Sequence, residues 1–512
     1  MLRKKKLLAE LSLLKDNTTS GTHFLPLKEI SDRNIFELYQ INLIKILALE
    51  ISGFETPGTK LGINDAEITL HKSNQLIQLV GSRLSKDTLL WNHFKQQQLS
   101  AENFLKHSSK EIRDFDHLTF VKDHLLPLYQ YCVTLHERSG VEFSEEVNLL
   151  PQSINWHSPS PFHASFLNPS YFSRIETHDQ RKIELGRLLF YDPILSKNNE
   201  RACASCHAPA KAFTDGQKTS LAFDFKGRIE RNAPTLTNAV YSSAFFYDLR
   251  AEMIGQQVEH VVHSPKEFAT NFIEIEAKLM DSKTYEELFK SAFPEAEGSI
   301  SKANLVTALG AFVQAQRAWN SEFDQFINGE KNSLPKEAQA GFNLFMGKAQ
   351  CATCHFLPNF SGLAAPWYEV SESENLGIIE KWDTVNPILD QDRGRILSVK
   401  VKDRSPIFEG HFKTPGLRNV ALTGPYMHHG GFETLEEVIA FYNHGGAAGL
   451  GLEVNNQTLP EDHLGLTQSE QQQLIRFLES LTDTNSLDLK VPDALPKHVN
   501  QTLNQRKIGG NY

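Results

Sequence analysis

The chain has 512 residues, 40% of them hydrophobic and 22% charged, with a formal net charge of −10. That length exceeds one ordinary core and predicts two or three domains, while a mean hydropathy of −0.36 and no apolar run of spanning length exclude a membrane span. The negative balance leaves no electrostatic footprint for nucleic acid and suits a basic protein partner.

The N-terminus, "MLRKKKLLAELSLLKDNTTS", has the basic start of a secretory signal, but Glu10, Lys15 and Asp16 interrupt the apolar stretch that should follow, so no export signal is read there. Residues 1–160 carry helical patterns. In "SDRNIFELYQINLIKILALE" the residues Ile35, Leu38, Ile41 and Leu49 recur at three-to-four spacing, and "DAEITLHKSNQLIQLVGSRL" and "DHLTFVKDHLLPLYQYCVTL" repeat the theme. A helical bundle without a cofactor motif is predicted. Cys132, on one of these helices with no cysteine near it, reads as a buried, inert thiol. The Ser-, Pro- and Asn-rich "NWHSPSPFHASFLNPS" reads as a linker.

Four of the chain's five cysteines then form two copies of C-x-x-C-H: Cys203, Cys206 and His207, and later Cys351, Cys354 and His355. Cysteines at i and i+3 on a helical turn present both thiols to one side, as thioether attachment to the two haem vinyl groups requires. The adjacent histidine supplies the proximal iron ligand. Each motif therefore predicts one covalent haem c. A Cys₄ zinc site is a competing reading, but zinc ribbons separate their pairs by roughly 15 to 20 residues, far fewer than here. A pair of redox disulfides leaves His207 and His355 unexplained.

Each motif opens a stretch of loops followed by a helix, "SKANLVTALGAFVQAQRAW" after the first and "TQSEQQQLIRFLESL" after the second. Thr467 and Glu470 have capping-box spacing ahead of an apolar face of Leu474, Ile475, Leu478 and Leu481. Strand signals are sparse and short. The predicted architecture is mainly α: an N-terminal helical region over 1–160, two c-type cytochrome domains in tandem over 165–330 and 335–490, and a C-terminal tail over 491–512.

Taken in order, "LGRLLFYDPILS", "CASCH", "AFTDG", "RNAPTLTNAVYSSAFFYDLRA", "FDQFINGE", "CATCH" and "FKTPGLRNVALTGPYMHHGGFETLEEVIAFYNHGG" resemble the bacterial diheme cytochrome c peroxidases. That family includes relatives that mature tryptophan tryptophylquinone in a partner protein. The resemblance covers about residues 175–485. It implies that the haem held by His207 reacts with peroxide and the haem held by His355 relays electrons. Peroxide cleavage needs an open iron position and an acid-base group, whereas electron transfer favours six-coordinate iron.

In the family a tryptophan lies between the haems, and a distal Gln and Glu follow it by ten and twenty residues. The matching frame here gives Tyr247, Gln257 and Glu267. By resemblance, Glu267 takes the proton from the near oxygen of peroxide and returns it to the departing hydroxide, and Gln257 hydrogen-bonds the bound oxygen species. Tyr247 departs from the pattern; a tyrosine can relay an oxidising hole only if its proton moves with the electron.

Typical peroxidases carry a histidine in the loop after the first motif, yet residues 208–232 contain none, so the first iron is expected to be open in the oxidised protein. At the second haem the typical ligand is a methionine, and the quinone-maturing relatives use a tyrosine. "AFYNHGG" puts Tyr442 at that point. A phenolate stabilises ferric iron and lowers its potential, so by both ligands the chain looks closer to the quinone-maturing relatives. Asn232, Thr423 and Pro425 match the positions through which the family holds a calcium ion between the haem domains. His428 matches a family histidine near the second haem and His429 replaces an aspartate; neither is assigned as a ligand.

The expected function is reduction of hydrogen peroxide at the first haem, with electrons relayed through the second from a small cytochrome c or copper protein. The alternatives are peroxide-dependent oxidative maturation of a partner protein, and a non-catalytic diheme carrier or sensor docked through the N-terminal bundle. Gln257 and Glu267 argue against the last. Haem c attachment takes place outside the cytoplasmic membrane, so a periplasmic or otherwise exported protein is expected, with a homodimer as its expected assembly.

Overall fold

Apolar periodicity becomes helix along most of the chain in the computed structural model, which describes residues 32–84, 87–141, 151–175, 179–398 and 400–512. The basic stretch 1–20 lies outside them. The N-terminal helices are α1 (Asp32–Lys45), α2 (Gly62–Leu84), α3 (Thr88–His107) and α4 (Leu126–Ser139). The buried face of α1 runs through Phe36, Tyr39 and Leu43. Leu38, expected on that face, is 44% exposed, because at roughly 100° per residue it points almost opposite that line. Cys132 is fully buried in α4, and burial pushes its thiol pKa up, as expected for an inert cysteine.

The segment 155–170, expected as a linker, is packed instead. Phe162 and Phe166 are 0% exposed, and Phe162 meets Phe323 at 5.8 Å and Phe360 at 6.2 Å. Its polar groups are satisfied locally: Asn155 N–H donates to Phe166 O at 2.7 Å and Ser158 Oγ to Ser160 O at 3.0 Å. The Ser and Pro residues shape turns, and the two phenylalanines decide where those turns sit. Through this segment the N-terminal helices share one hydrophobic core with residues 319–481. Leu118 N–H donates to Asn343 Oδ1 at 2.8 Å, and Phe54 lies edge-on to Phe356 at 5.0 Å.

The remainder repeats one helix crossing twice. In the first half α5 (Gln180–Tyr191) is followed by the attachment turn α6 (Cys203–Cys206), α7 (Ile254–His263) and α8 (Lys302–Ala315), and α5 packs on α8. In the second half α9 (Lys336–Met346) precedes α10 (Leu435–Asn443) and α11 (Gln468–Ser480), and α9 packs on α11. Both crossings use glycine for close approach. A Cβ on Gly186 would sit 1.9 Å from Ala308 O, and one on Gly341 would sit 2.0 Å from Gln473 O. One turn on, Phe190 meets Phe312 at 4.8 Å and Phe345 meets Phe477 at 5.2 Å. The capping box at Thr467 and Glu470 forms.

Sheet is confined to a two-stranded antiparallel pair, β1 (Ser373–Glu374) with β2 (Phe412–Lys413), among the described residues. No described helix is long and apolar enough to cross a membrane. The segment after α11, expected as a tail, returns to the first half, where Leu503 and Ile508 join its core.

Candidate functional site

The two motifs share one local geometry. Cys203–Cys206 forms a single α-turn and Cys351–Thr353 a 3₁₀ turn, and the N–H groups of His207 and His355 donate to Cys203 O and Cys351 O, both at 3.0 Å. His207 Nδ1 lies 3.1 Å from Phe213 O, and His355 Nδ1 lies 3.3 Å from Phe360 O. A carbonyl at Nδ1 keeps the proton there and leaves the Nε2 lone pair for a metal. Phe213 and Phe360 reach this position with φ of +59° and +53°, a conformation costing about 1–2 kcal/mol for a residue with a side chain. Burial lowers the His207 pKa and pushes that of His355 down to about 4, so both rings are neutral donors. The motif cysteines form no disulfides, and among the described residues no three His, Cys, Asp or Glu side chains converge as a metal site. Neither competing reading of the motifs gains support.

Beside the first motif opens a cavity of about 670 Å³, lined by Cys203, Cys206 and His207 together with Tyr247, Gln257 and Glu267. Phe190, Leu236 and Val258 give it apolar wall, while Arg201, Lys413 and Arg418 bring cations to it. Several of its polar atoms are buried without a hydrogen-bond partner: Arg201 Nη1, Thr237 Oγ1, Asn359 Oδ1 and Thr414 Oγ1. Burial pushes Lys413 down to about 8, and its ammonium reaches Ser242 Oγ at 3.5 Å. Buried polar atoms of native folds are ordinarily paired. An apolar cavity with orphaned donors and cations at its edge fits a flat macrocycle bearing carboxylates, and two thiols with a neutral imidazole fit its attachment.

Gln257 projects from α7, and the turn after that helix carries Glu267, whose N–H donates to Ser264 O at 3.1 Å. Burial raises the Glu267 carboxyl above the ordinary range, with Ser264, Arg250 and Arg201 partly opposing the shift. Arg250 is fixed by Asp248 at 2.9 Å and by the Phe246 ring 3.4 Å below its guanidinium. Sequence reasoning placed Gln257 and Glu267 by frame alone; the fold brings both to the cavity of His207.

Tyr247 lies where the two halves meet. Its carbonyl accepts from Lys413 N–H at 2.6 Å, its hydroxyl is 3.5 Å from Asn232 Oδ1, and burial raises its phenol pKa. Arg231 ties the halves by bridging Asp248 and Asp392, each at 2.7 Å. Asn232 N–H donates to His428 O at 2.7 Å and its amide to Gln217 O at 2.9 Å. Thr423 Oγ1 donates to Val420 O at 3.1 Å, and Pro425 precedes Tyr426, which pairs with Phe432. His428 stacks on Phe412 at 3.6 Å and meets Asp390 Oδ2 at 2.8 Å, while His429 Nε2 is 3.1 Å from Ile379 O.

At the second motif, Tyr442 on α10 is held protonated first by burial and then by the nearby Cys354, Cys351 and Glu374. It stands within electrostatic reach of both attachment cysteines. Sequence reading missed the return of residues 501–512. Arg506 pairs with Asp192, Ser205 Oγ donates to Gly509 O at 2.9 Å, and the Tyr512 hydroxyl donates to Asp215. No local pattern announces these contacts, because their partners lie hundreds of residues away.

A family model described as di-haem cytochrome c peroxidase matches residues 180–332. The chain is 32% identical over 321 residues to the cytochrome c551 peroxidase of Nitrosomonas europaea, covering 62% of this chain and 84% of that one. It is 28% identical to the methylamine utilization protein MauG of Methylorubrum extorquens, covering 59% and 78%. Among solved structures, a MauG-like protein associated with microbial copper homeostasis matches with a TM-score of 0.52 at 28% identity, covering 61% of this chain and 92% of that one.

Proposed function

The chain belongs to the di-haem cytochrome c peroxidase family, and from that premise we propose that it reduces hydrogen peroxide to water at the site built on His207, drawing electrons through the site built on His355. The observation carrying this reading is that one cavity holds the proximal His207 and the distal Gln257 and Glu267. A carrier has no use for a distal acid-base pair.

Cys203, Cys206 and His207 would hold one haem c, which would supply redox chemistry toward peroxide, and Cys351, Cys354, His355 and Tyr442 would hold the second. The remaining chemistry belongs to the chain. Glu267 as carboxylate accepts the proton of the near peroxide oxygen and passes it to the departing one, so that water leaves rather than hydroxide. Gln257 orients the oxygen by hydrogen bonding. Arg250, clamped by Asp248 and Phe246, keeps the Glu267 carboxylate accessible despite its burial. Tyr247 links the halves, and its proton must move with any electron it passes.

In this reading residues 165–330 and 335–490 are tandem c-type haem units, as the paired Gly186 and Gly341 crossings support. The described residues between 32 and 141 brace the second unit through their shared core, and Asn232, Thr423 and Pro425 would hold a calcium ion. The protein acts after export, as a homodimer, with a small basic cytochrome or copper protein as donor. A second reading, oxidative maturation of a partner protein, is favoured by Tyr442 beside the second motif and by the histidine-free loop 208–232.

Stopped-flow absorption of the oxidised, haem-loaded protein mixed with peroxide, repeated after one-electron reduction, tests both. Rapid reaction of the oxidised form supports an open first iron and the maturation reading. Reaction only after reduction supports an ordinary peroxidase, and no reaction in either state leaves the carrier or sensor.

A further inference from the structure

Segment 501–512 is bound tightly beside the first motif. Arg506 anchors it to Asp192, Asn511 N–H donates to Glu200 O at 2.7 Å, and Arg201 and Gly510 form a backbone bridge. It delivers Tyr512 to the loop that follows His207. The Tyr512 ring lies under the Arg201 guanidinium at 5.9 Å, and that cation also covers Phe225 at 4.9 Å. The phenol is within electrostatic reach of Cys206, yet the residue is 45% exposed.

Its hydroxyl donates to Asp215 Oδ2. Asp215 is itself held in place: Ser220 Oγ donates to the same oxygen at 2.5 Å and Gln217 N–H to Oδ1 at 2.9 Å. A phenol near neutral pH gives up an electron readily only when its proton has somewhere to go. The tyrosines between residues 180 and 330 lack that combination. Tyr191 and Tyr241 are buried with unpartnered hydroxyls, Tyr247 faces an amide oxygen at 3.5 Å, and Tyr285 reaches a carboxylate but is fully buried.

We propose that Tyr512, with Asp215 as its proton acceptor, is a surface oxidation site through which small phenolic reductants feed electrons to the first haem site. The inference rests on the peroxide reading above. Hydrogen peroxide is the oxidant, and its reduction to two waters takes two electrons and two protons. In each event Tyr512 loses one electron toward the haem on Cys203 and Cys206, and its hydroxyl proton passes to Asp215 Oδ2. A phenol at the surface then returns one electron to the Tyr512 ring, Asp215 returns the proton, and the donor releases its own proton to solvent. Two donor phenols are consumed per peroxide.

The test uses the haem-loaded protein, hydrogen peroxide and a nitroso spin trap, with adducts located by peptide mass spectrometry and freeze-quenched samples read by electron paramagnetic resonance. The expected result is a tyrosyl-type signal and an adduct on the peptide carrying Tyr512. Tyr512→Phe is expected to remove both and slow peroxide-driven hydroquinone oxidation at least tenfold, and Asp215→Asn to diminish the signal with Tyr512 still present. A Soret response to peroxide with the adduct elsewhere, or hydroquinone oxidation undiminished in Tyr512→Phe, overturns the proposal. No Soret response in the wild type instead overturns the peroxide reading. The adduct map is made on the wild type, so it decides even if a variant fails to fold.

Discussion

Arg506 clasps Asp192 in a two-pronged ion pair, Nε to Oδ1 at 2.6 Å and Nη2 to Oδ2 at 2.8 Å, with both side chains almost wholly buried. The Tyr285 hydroxyl adds a third bond, to Asp192 Oδ2 at 2.6 Å. The pair joins a segment beyond the second haem motif to the turn that precedes the first. Removing one member leaves the other charge buried and uncompensated, so Arg506→Met is expected to cost about 3–5 kcal/mol. Urea unfolding of the haem-loaded protein reads this directly. Adding Asp192→Asn should recover part of the loss, since the orphaned charge goes with it; a double variant no better than the single would place the cost in lost packing.

The two glycine crossings give a second expectation. A Cβ on Gly341 would lie 2.0 Å from Gln473 O and 2.7 Å from the Phe477 Cβ, neither of which is the free end of a flexible side chain. Gly341→Ala must therefore push α9 off α11, at a cost of about 1–3 kcal/mol typical of overpacking. Thermal unfolding should show a lower midpoint. An unchanged midpoint would mean that the crossing yields more easily than its backbone contacts imply.

Much of this architecture was legible because its signals are local. The C-x-x-C-H spacing fixed both attachment turns, and Thr467 with Glu470 marked the start of α11. What the sequence withheld depends on distant partners. The Ser- and Pro-rich stretch 155–170 looked like a linker because its turn residues outnumber its phenylalanines, yet Phe162 and Phe166 fill a core built by residues 319–481. Helix α1 showed its period but not its phase, so Leu38 was assigned to the wrong side. The carbonyls of Phe213 and Phe360, which orient the two imidazoles, carry no side-chain signature at all.

Acid sensitivity should trace partly to His117. Its ring is fully buried, Nε2 lies 3.0 Å from Ile51 O, and burial pushes its pKa down to about 4. Unfolded, the same ring titrates near the ordinary 6.5. Between those values the unfolded chain binds a proton that the folded one refuses, so stability falls as pH drops from about 6.5 toward 4, by about 1.4 kcal/mol per unit for one such group. His117→Gln keeps a donor for Ile51 O without titrating. The stability difference between pH 7 and pH 5 should shrink by about 2 kcal/mol, with His136, also pushed down to about 4, among the groups that supply the slope that remains.

Glu267 should govern the peroxide step. Glu267→Gln removes the acid-base function while keeping shape, and a loss of about 10²–10⁴-fold in the Soret response to peroxide is expected, with both haems still covalently attached. Because burial raises the Glu267 carboxyl and the base form is the active one, the wild-type rate should fall on acidification with a midpoint above the ordinary glutamate range. A rate independent of pH through that region would remove the proposed role.

Tyr442 offers the sharpest test of how the second haem site is built. The structure sets its phenol near Cys351 and Cys354, where burial and the surrounding groups all favour the protonated form. Only a strongly polarising ferric iron would draw off that proton, and a phenolate so bound stabilises the oxidised state and lowers the potential. Tyr442→Met replaces a hard anionic oxygen with a soft neutral sulfur, which favours the ferrous state. Redox titration should show one of the two haems rising by a few hundred millivolts, within the roughly 0.8 V over which axial ligands set haem potentials, while the other holds its value. Equal potentials in wild type and variant would mean that Tyr442 is a packed aromatic, and the likeness to the quinone-maturing relatives would then rest on the histidine-free loop 208–232 alone.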